Sequence, residues 1–121
     1  MHEKQKFLIS EREKSNTRIL NIHGFLDAHT APELENKIGD IIKSNVYNVV
    51  VNFDDLDYIS SAGLGVFMAF IEEIREKGGD IKLCSMSPRV FTVFDLLGFP
   101  ILFDILDNED EAIEKFKKNN A

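Results

Sequence analysis

A single cysteine, Cys84, leaves the chain without an internal disulfide, and this excludes a small secreted fold stapled by several bridges. Cys84 falls in an apolar strand pattern, where an inert, half-buried thiol is expected, and a reducing, cytoplasmic setting suits it. Long apolar runs are missing as well. The N-terminal MHEKQKFLIS carries none, so neither a signal peptide nor a membrane span is expected. Cations are few and scattered: 14 Lys and Arg stand against 21 Asp and Glu, for a formal charge of −7. Nucleic acid and anionic membrane both demand clustered positive charge, so neither is expected as a partner. The one basic run, at Glu114–Lys118, reads as a solvated helix face. There is no internal repeat and no low-complexity tract. What remains is 44% hydrophobic residues, ten of them Phe, in 121 positions: enough core for one domain without staples.

KFLISERE and TRILNIHG are short alternating runs around a turn-like KSN, the pattern of an antiparallel hairpin. In DAHTAPELENKIGDIIKS, Thr30 and Glu33 form a capping-box spacing ahead of Leu34, Ile38, Ile41 and Ile42 at helical intervals. YNVVVNFD is a strand, and a helix follows from about Ala62 to Lys77, stopped by Gly78 and Gly79. DIKLCSM is the next strand. SPRVFTVFDLLG is a short helix with Ser87 as cap, Pro88 in first position and Gly98 as stop. ILFDIL is a last strand, and NEDEAIEKFKK a terminal helix capped by Asn108.

Strands and helices thus alternate after the hairpin, which calls for an α/β fold with a mostly parallel sheet. Polar residues within the strands, such as Asn21, Asn52 and Lys82, mean that one sheet face is only partly covered. Right-handed crossovers between sequential neighbours put about four helices mainly on one face.

Ser60 and Ser61 open the central helix. Read as a cap, Ser61 places Gly63 at N2 and Leu64 at N3, so no carboxylate occupies the positive end of the helix dipole. Gly63 and Gly65 weaken the first turn and offer bare backbone to a partner, and an open helix start bearing a hydroxyl suits a phosphoryl group. Leu64, Phe67, Met68, Ile71 and Ile74 make an apolar stripe for the core. Val66 is expected to point outward, as part of a docking surface. These residues alone leave two readings of the serine pair open, helix cap and acceptor of a modification.

LDYISSAGLGVF, with GFLDAHTAPELE upstream and SPRVFTVFDLLGF downstream, resembles the STAS domain of anti-sigma factor antagonists over about residues 7–116 of a single domain, 1–121. The resemblance implies a protein whose unphosphorylated form binds a serine-kinase anti-sigma factor and frees the sigma factor. It implies inactivation by phosphorylation on Ser61, with Ser60 the lesser alternative, and reactivation by a PP2C-type phosphatase. Partner contacts are implied at Asp27, His29, Ser60, Ser61, Ala62, Gly63, Gly65 and Val66. A cytoplasmic bacterial signalling monomer without a cofactor is expected. Two alternatives keep the fold: a partner-switching adaptor for a kinase that controls no sigma factor, and a STAS subunit of a lipid-transport ATPase.

Other chemistry finds little support. His23 and His29 lack the spacing of a shared metal site. Asp54, Asp55 and Asp57 read as solvated carboxylates rather than a Mg²⁺ site. No Walker pattern follows Gly78–Asp80, and YISSAGLG lacks the G-x-S-x-G elbow, so no catalytic residue is assigned and an enzyme is not expected.

Overall fold

Two residues with positive φ, Ser15 (53°) and Asn16 (61°), make the first turn. A two-residue loop with both φ values positive matches the right-handed twist of the strands it joins. In the computed structural model, which describes residues 6–119, this turn links β1 (Leu8–Lys14) antiparallel to β2 (Thr17–Leu26). Then follow α1 (Ala31–Lys43), β3 (Asn48–Ile59), α2 (Ser61–Glu76), β4 (Asp80–Cys84), α3 (Pro88–Leu96), α4 (Phe99–Leu102), β5 (Ile105–Leu106) and α5 (Glu109–Asn119). The sheet order is β1-β2-β3-β4-β5, with every pair after the hairpin parallel. This is the sequential, mostly parallel sheet expected from the alternation of elements.

Alternation along the strands splits the core in two. Leu20, Ile22, Val49, Val51, Ile81 and Leu83 face one way, packed with Leu34 and Ile38 of α1, Phe67 and Ile74 of α2, and Phe94 of α3. Phe53, Phe94, Phe99 and Phe103 form the aromatic part of this layer. The Phe53–Phe94 and Phe94–Phe99 rings meet nearly edge-on at 5.3 and 5.1 Å. Ile19, Val50 and Cys84 face the other way, under Ala112, Ile113 and Phe116 of α5. Four helices therefore share one face and the terminal helix takes the other. Cys84 is fully buried rather than half-buried, and burial pushes its thiol up to about 11.

Polar contacts fasten α5 at both ends. Glu109 accepts from Arg12 Nη1 (3.1 Å) and from Asn52 Nδ2 (3.1 Å). Lys82, fully buried, donates to Asp80 (3.0 Å) and Asp104 (2.8 Å), with its ammonium 4.7 Å from the centre of the Phe116 ring. A buried ammonium is tolerated only when paired in this way. Asn52 and Lys82 thus lie beneath α5, while Asn21 stays half-buried and accepts from Arg12 Nη2 at 2.6 Å.

Two elements differ from expectation. β3 runs on to Ile59, well past Asp54, through register shifts opposite Asn21–His23 and Gly24–Phe25. ILFDIL is not one strand. Gly98 turns left-handed (φ 77°), Pro100 sits in the next helical turn, and only Ile105–Leu106 joins the sheet. The remaining caps fall as expected: Ser87 Oγ accepts from Val90 N at 3.2 Å, and Asn108 Oδ1 from Glu111 N at 2.9 Å.

Candidate functional site

β2 and β3 end side by side, and the candidate residues gather where they end. Ser60 leaves β3 with extended backbone (φ −108°, ψ 160°), and its N–H donates to the carbonyl of Leu26, the last residue of β2, at 3.0 Å. The next residue of β2's chain is Asp27. One hydrogen bond therefore joins the Asp27–Thr30 loop to the start of α2.

The cap is Ser60, not Ser61 as expected, because the Ser60 carbonyl already accepts the first helical bond, from Gly63 N at 3.0 Å. Ser61 is the first helical residue. Nor does the Ser60 hydroxyl cap: its Oγ is buried and has no hydrogen-bond partner, whereas Ser61 and Ala62 are exposed. No acidic residue occupies the first turn. The two serines thus present opposite faces, one hydroxyl turned into the protein and one residue open to solvent. The helix start between them keeps its positive partial charge.

The two glycines also separate. Gly63 is buried, and a Cβ there would lie 2.8 Å from Leu26 Cγ and 3.1 Å from Leu26 O. Its bareness serves the packing of α2 on β2. Gly65 is exposed with no atom within 4 Å of the Cβ position, one turn from Ser61 on the same outward face. Val66 does not point outward: it is 3% exposed, because α1 packs along that flank of α2. Met68, roughly 160° away around the helix, is the one left out of the core, at 47% exposure.

The loop is built around Asp27. Its Oδ1 accepts the N–H groups of His29 (2.9 Å) and Thr30 (3.2 Å), and its carbonyl accepts Ala31 N at 2.9 Å. Thr30 adopts helical angles and makes no side-chain cap; its Oγ1 donates to Phe25 O (2.9 Å) and accepts Asp27 N (3.0 Å). The expected capping box is therefore replaced by an aspartate turn, with Thr30 reaching back to β2. His29 is exposed at the loop's tip, and Asp27 is half-buried. Asp54, Asp55 and Asp57 are exposed, and among the described residues no three His, Cys, Asp or Glu converge on a point that could hold a metal.

Sequence reasoning missed an aromatic pair beside the serines. Tyr58, 46% exposed, stands against Phe25 with ring centroids 5.3 Å apart. The register pairs these residues across β2 and β3, and the signal was the continuation of strand alternation through LDYI.

The STAS domain family matches residues 9–112 of the chain. The chain belongs to the STAS domain family. Among its relatives is BtrV of Bordetella bronchiseptica, which carries a provisional name as an anti-sigma factor antagonist; it is 31% identical over 79% of this chain and 83% of its own. The anti-sigma-B factor antagonist of Bacillus subtilis is 26% identical over 88% of this STAS domain and 96% of its own length. The unphosphorylated anti-sigma factor antagonist SpoIIAA superposes with a TM-score of 0.77 at 25% identity, over 93% of this chain and 97% of the other. SpoIIAA of Bacillus has also been solved in its phosphorylated form. No described helix of this STAS domain is long and apolar enough to cross a membrane.

Proposed function

We propose that this STAS domain is an anti-sigma factor antagonist switched at Ser61. Its unphosphorylated form binds a serine-kinase anti-sigma factor and so frees the sigma factor. Phosphorylation of Ser61 by that kinase ends the binding, and a PP2C-type phosphatase restores it in the cytoplasm. The reading is regulatory and assigns no catalysis. Partner contacts at Asp27, His29, Ser61, Ala62 and Gly65 belong to it, since these residues surround one strand end.

One observation carries the assignment: Ser61 is exposed at a helix start free of acidic residues, while the neighbouring Ser60 hydroxyl is buried. A kinase needs an accessible oxygen, and of the two serines Ser61 is the exposed one. Its phosphate would meet the positive end of α2 without rearranging the fold. In an interface the same group is costly. One like-charge pair about 6 Å apart at an effective dielectric near 20 costs about 3 kcal/mol, or roughly a hundredfold in affinity.

The test is incubation of the chain with the host's serine-kinase anti-sigma factors and ATP, followed by mass spectrometry. Phosphate is expected on Ser61, unchanged in Ser60→Ala and lost in Ser61→Ala. Modification of Ser60, or binding to none of the kinases, sinks the proposal.

A further inference from the structure

Most large hydrophobic side chains that the described fold leaves exposed lie on the helices of one face, and four crowd a single corner. Leu96 is 80% exposed, Leu97 51%, Ile101 90% and Leu102 45%. They fall within seven residues, at the end of α3 and in α4, which pack on one another. Arg75, in the last turn of α2, donates to Leu102 O at 2.6 Å and lies 5.5 Å from the Phe103 ring centre. The corner is therefore at the far end of α2 from Ser61, roughly 20 Å away along the helix.

We infer that this corner is a homodimer contact, covered by a second copy of the chain. Charge selects the occupant. Residues 85–103 contain only Arg89 and Asp95 as charged groups and sum to zero, and the neighbouring Arg75 is paired with Asp80 at 3.0 Å, in a chain of −7. Elsewhere two copies meet acidic runs such as Asp54, Asp55 and Asp57, or Glu109–Glu111. At this corner they approach without net repulsion. A twofold axis can set Arg89 of one copy against Asp95 of the other, as an isologous contact requires. An anionic lipid surface finds no cationic cluster there to hold it.

Area points the same way. The four side chains present on the order of 500 Å², at the upper end of the largest patch on a typical monomer. With a polar rim the corner approaches the roughly 800 Å² that each partner gives to a standard interface. Because the corner and Ser61 lie at opposite ends of α2, pairing leaves Ser61 of both copies open. The inference departs from the monomer expected from the sequence, and it does not depend on the proposed switch.

Sedimentation velocity of the full chain decides it. Between about 10 µM and 1 mM, a range suited to an interface of modest area, the mass should rise toward twice that of the monomer. Leu96→Asp and Ile101→Asp should each return it to the monomer without lowering the thermal midpoint, since both side chains are in solvent. Leu97→Lys should do the same, which separates loss of the apolar contact from added negative charge. A wild-type chain still monomeric at the highest concentration overturns the inference, and so does a dimer that survives all three substitutions.

Discussion

Replacing Gly63 by alanine tests the join between α2 and β2 most directly. The new Cβ would lie 2.8 Å from Leu26 Cγ, 3.1 Å from Leu26 O and 3.3 Å from Leu26 C. The side-chain carbon can turn away only by disturbing Leu26, which is fully buried, and the carbonyl is held by Ser60 N at 3.0 Å. Overpacking of this kind costs about 1–3 kcal/mol. Against it stands the helix preference of alanine over glycine, at most about 1 kcal/mol and less in a first turn. The net loss is about 1–2 kcal/mol, or roughly 3–8 °C in thermal midpoint for a domain of this size. Gly65→Ala is the internal control. Nothing lies within 4 Å of its Cβ position, so the same substitution two residues on should raise stability by up to about 1 kcal/mol. Urea titrations of the two variants, fitted with a common slope, measure the difference. Equal midpoints, or a Gly63→Ala variant more stable than wild type, would refute the close packing described above.

Thr30→Val should lower stability by about 1–3 kcal/mol, because it removes the bond to Phe25 O and strips Asp27 N of its acceptor in a part-buried loop; an unchanged urea midpoint would show that water replaces both. Acid sensitivity should track the anchoring of α5. The Arg12 guanidinium holds the Glu109 carboxyl below its ordinary range, and Lys82 does the same for Asp104. Both carboxylates titrate lower folded than unfolded, so their contribution is full above the ordinary carboxylate range and is lost as pH falls through the folded values. Thermal midpoints measured from about pH 7 down to 3 should therefore fall, and Arg12→Ala should flatten part of that fall; an identical slope in the variant would remove the Arg12–Glu109 pair from the account.

Strand order was readable because alternation of elements and right-handed crossovers leave few ways to lay out a small parallel sheet. The face chosen by α5 was not. An amphipathic helix announces that it will bury a stripe, and only the row of Ile19, Val50 and Cys84 decides where. Lys82 shows the same limit: a lysine in a strand suggests solvent, and its burial depends on Asp80 and on Asp104, 22 residues away. At the site, the serine pair was visible at once, but its division of labour turns on a single residue's backbone angles. A glycine signals that something comes close without saying what, and at Gly63 the visitor is Leu26. The Thr30–Glu33 spacing met a competitor three residues upstream, where Asp27 took the turn's amides first. Val66 and Met68 exchanged places because α2 has a helical neighbour on one flank that periodicity cannot locate.

The attachment of α5 also bears on the order in which the molecule can be assembled. Each strand is laid beside the one made just before it, so a chain emerging from the ribosome can build its sheet outward from the first hairpin with short loop closures. The contact from Glu109 back to Arg12 breaks that pattern, since it spans 97 residues. Until it forms, the Lys82 ammonium and the Cys84 thiol lie on an uncovered sheet face, hydrated and reachable. The seating of α5 is then the step that dries this face, and the solvation of Lys82 reports whether that helix is in place.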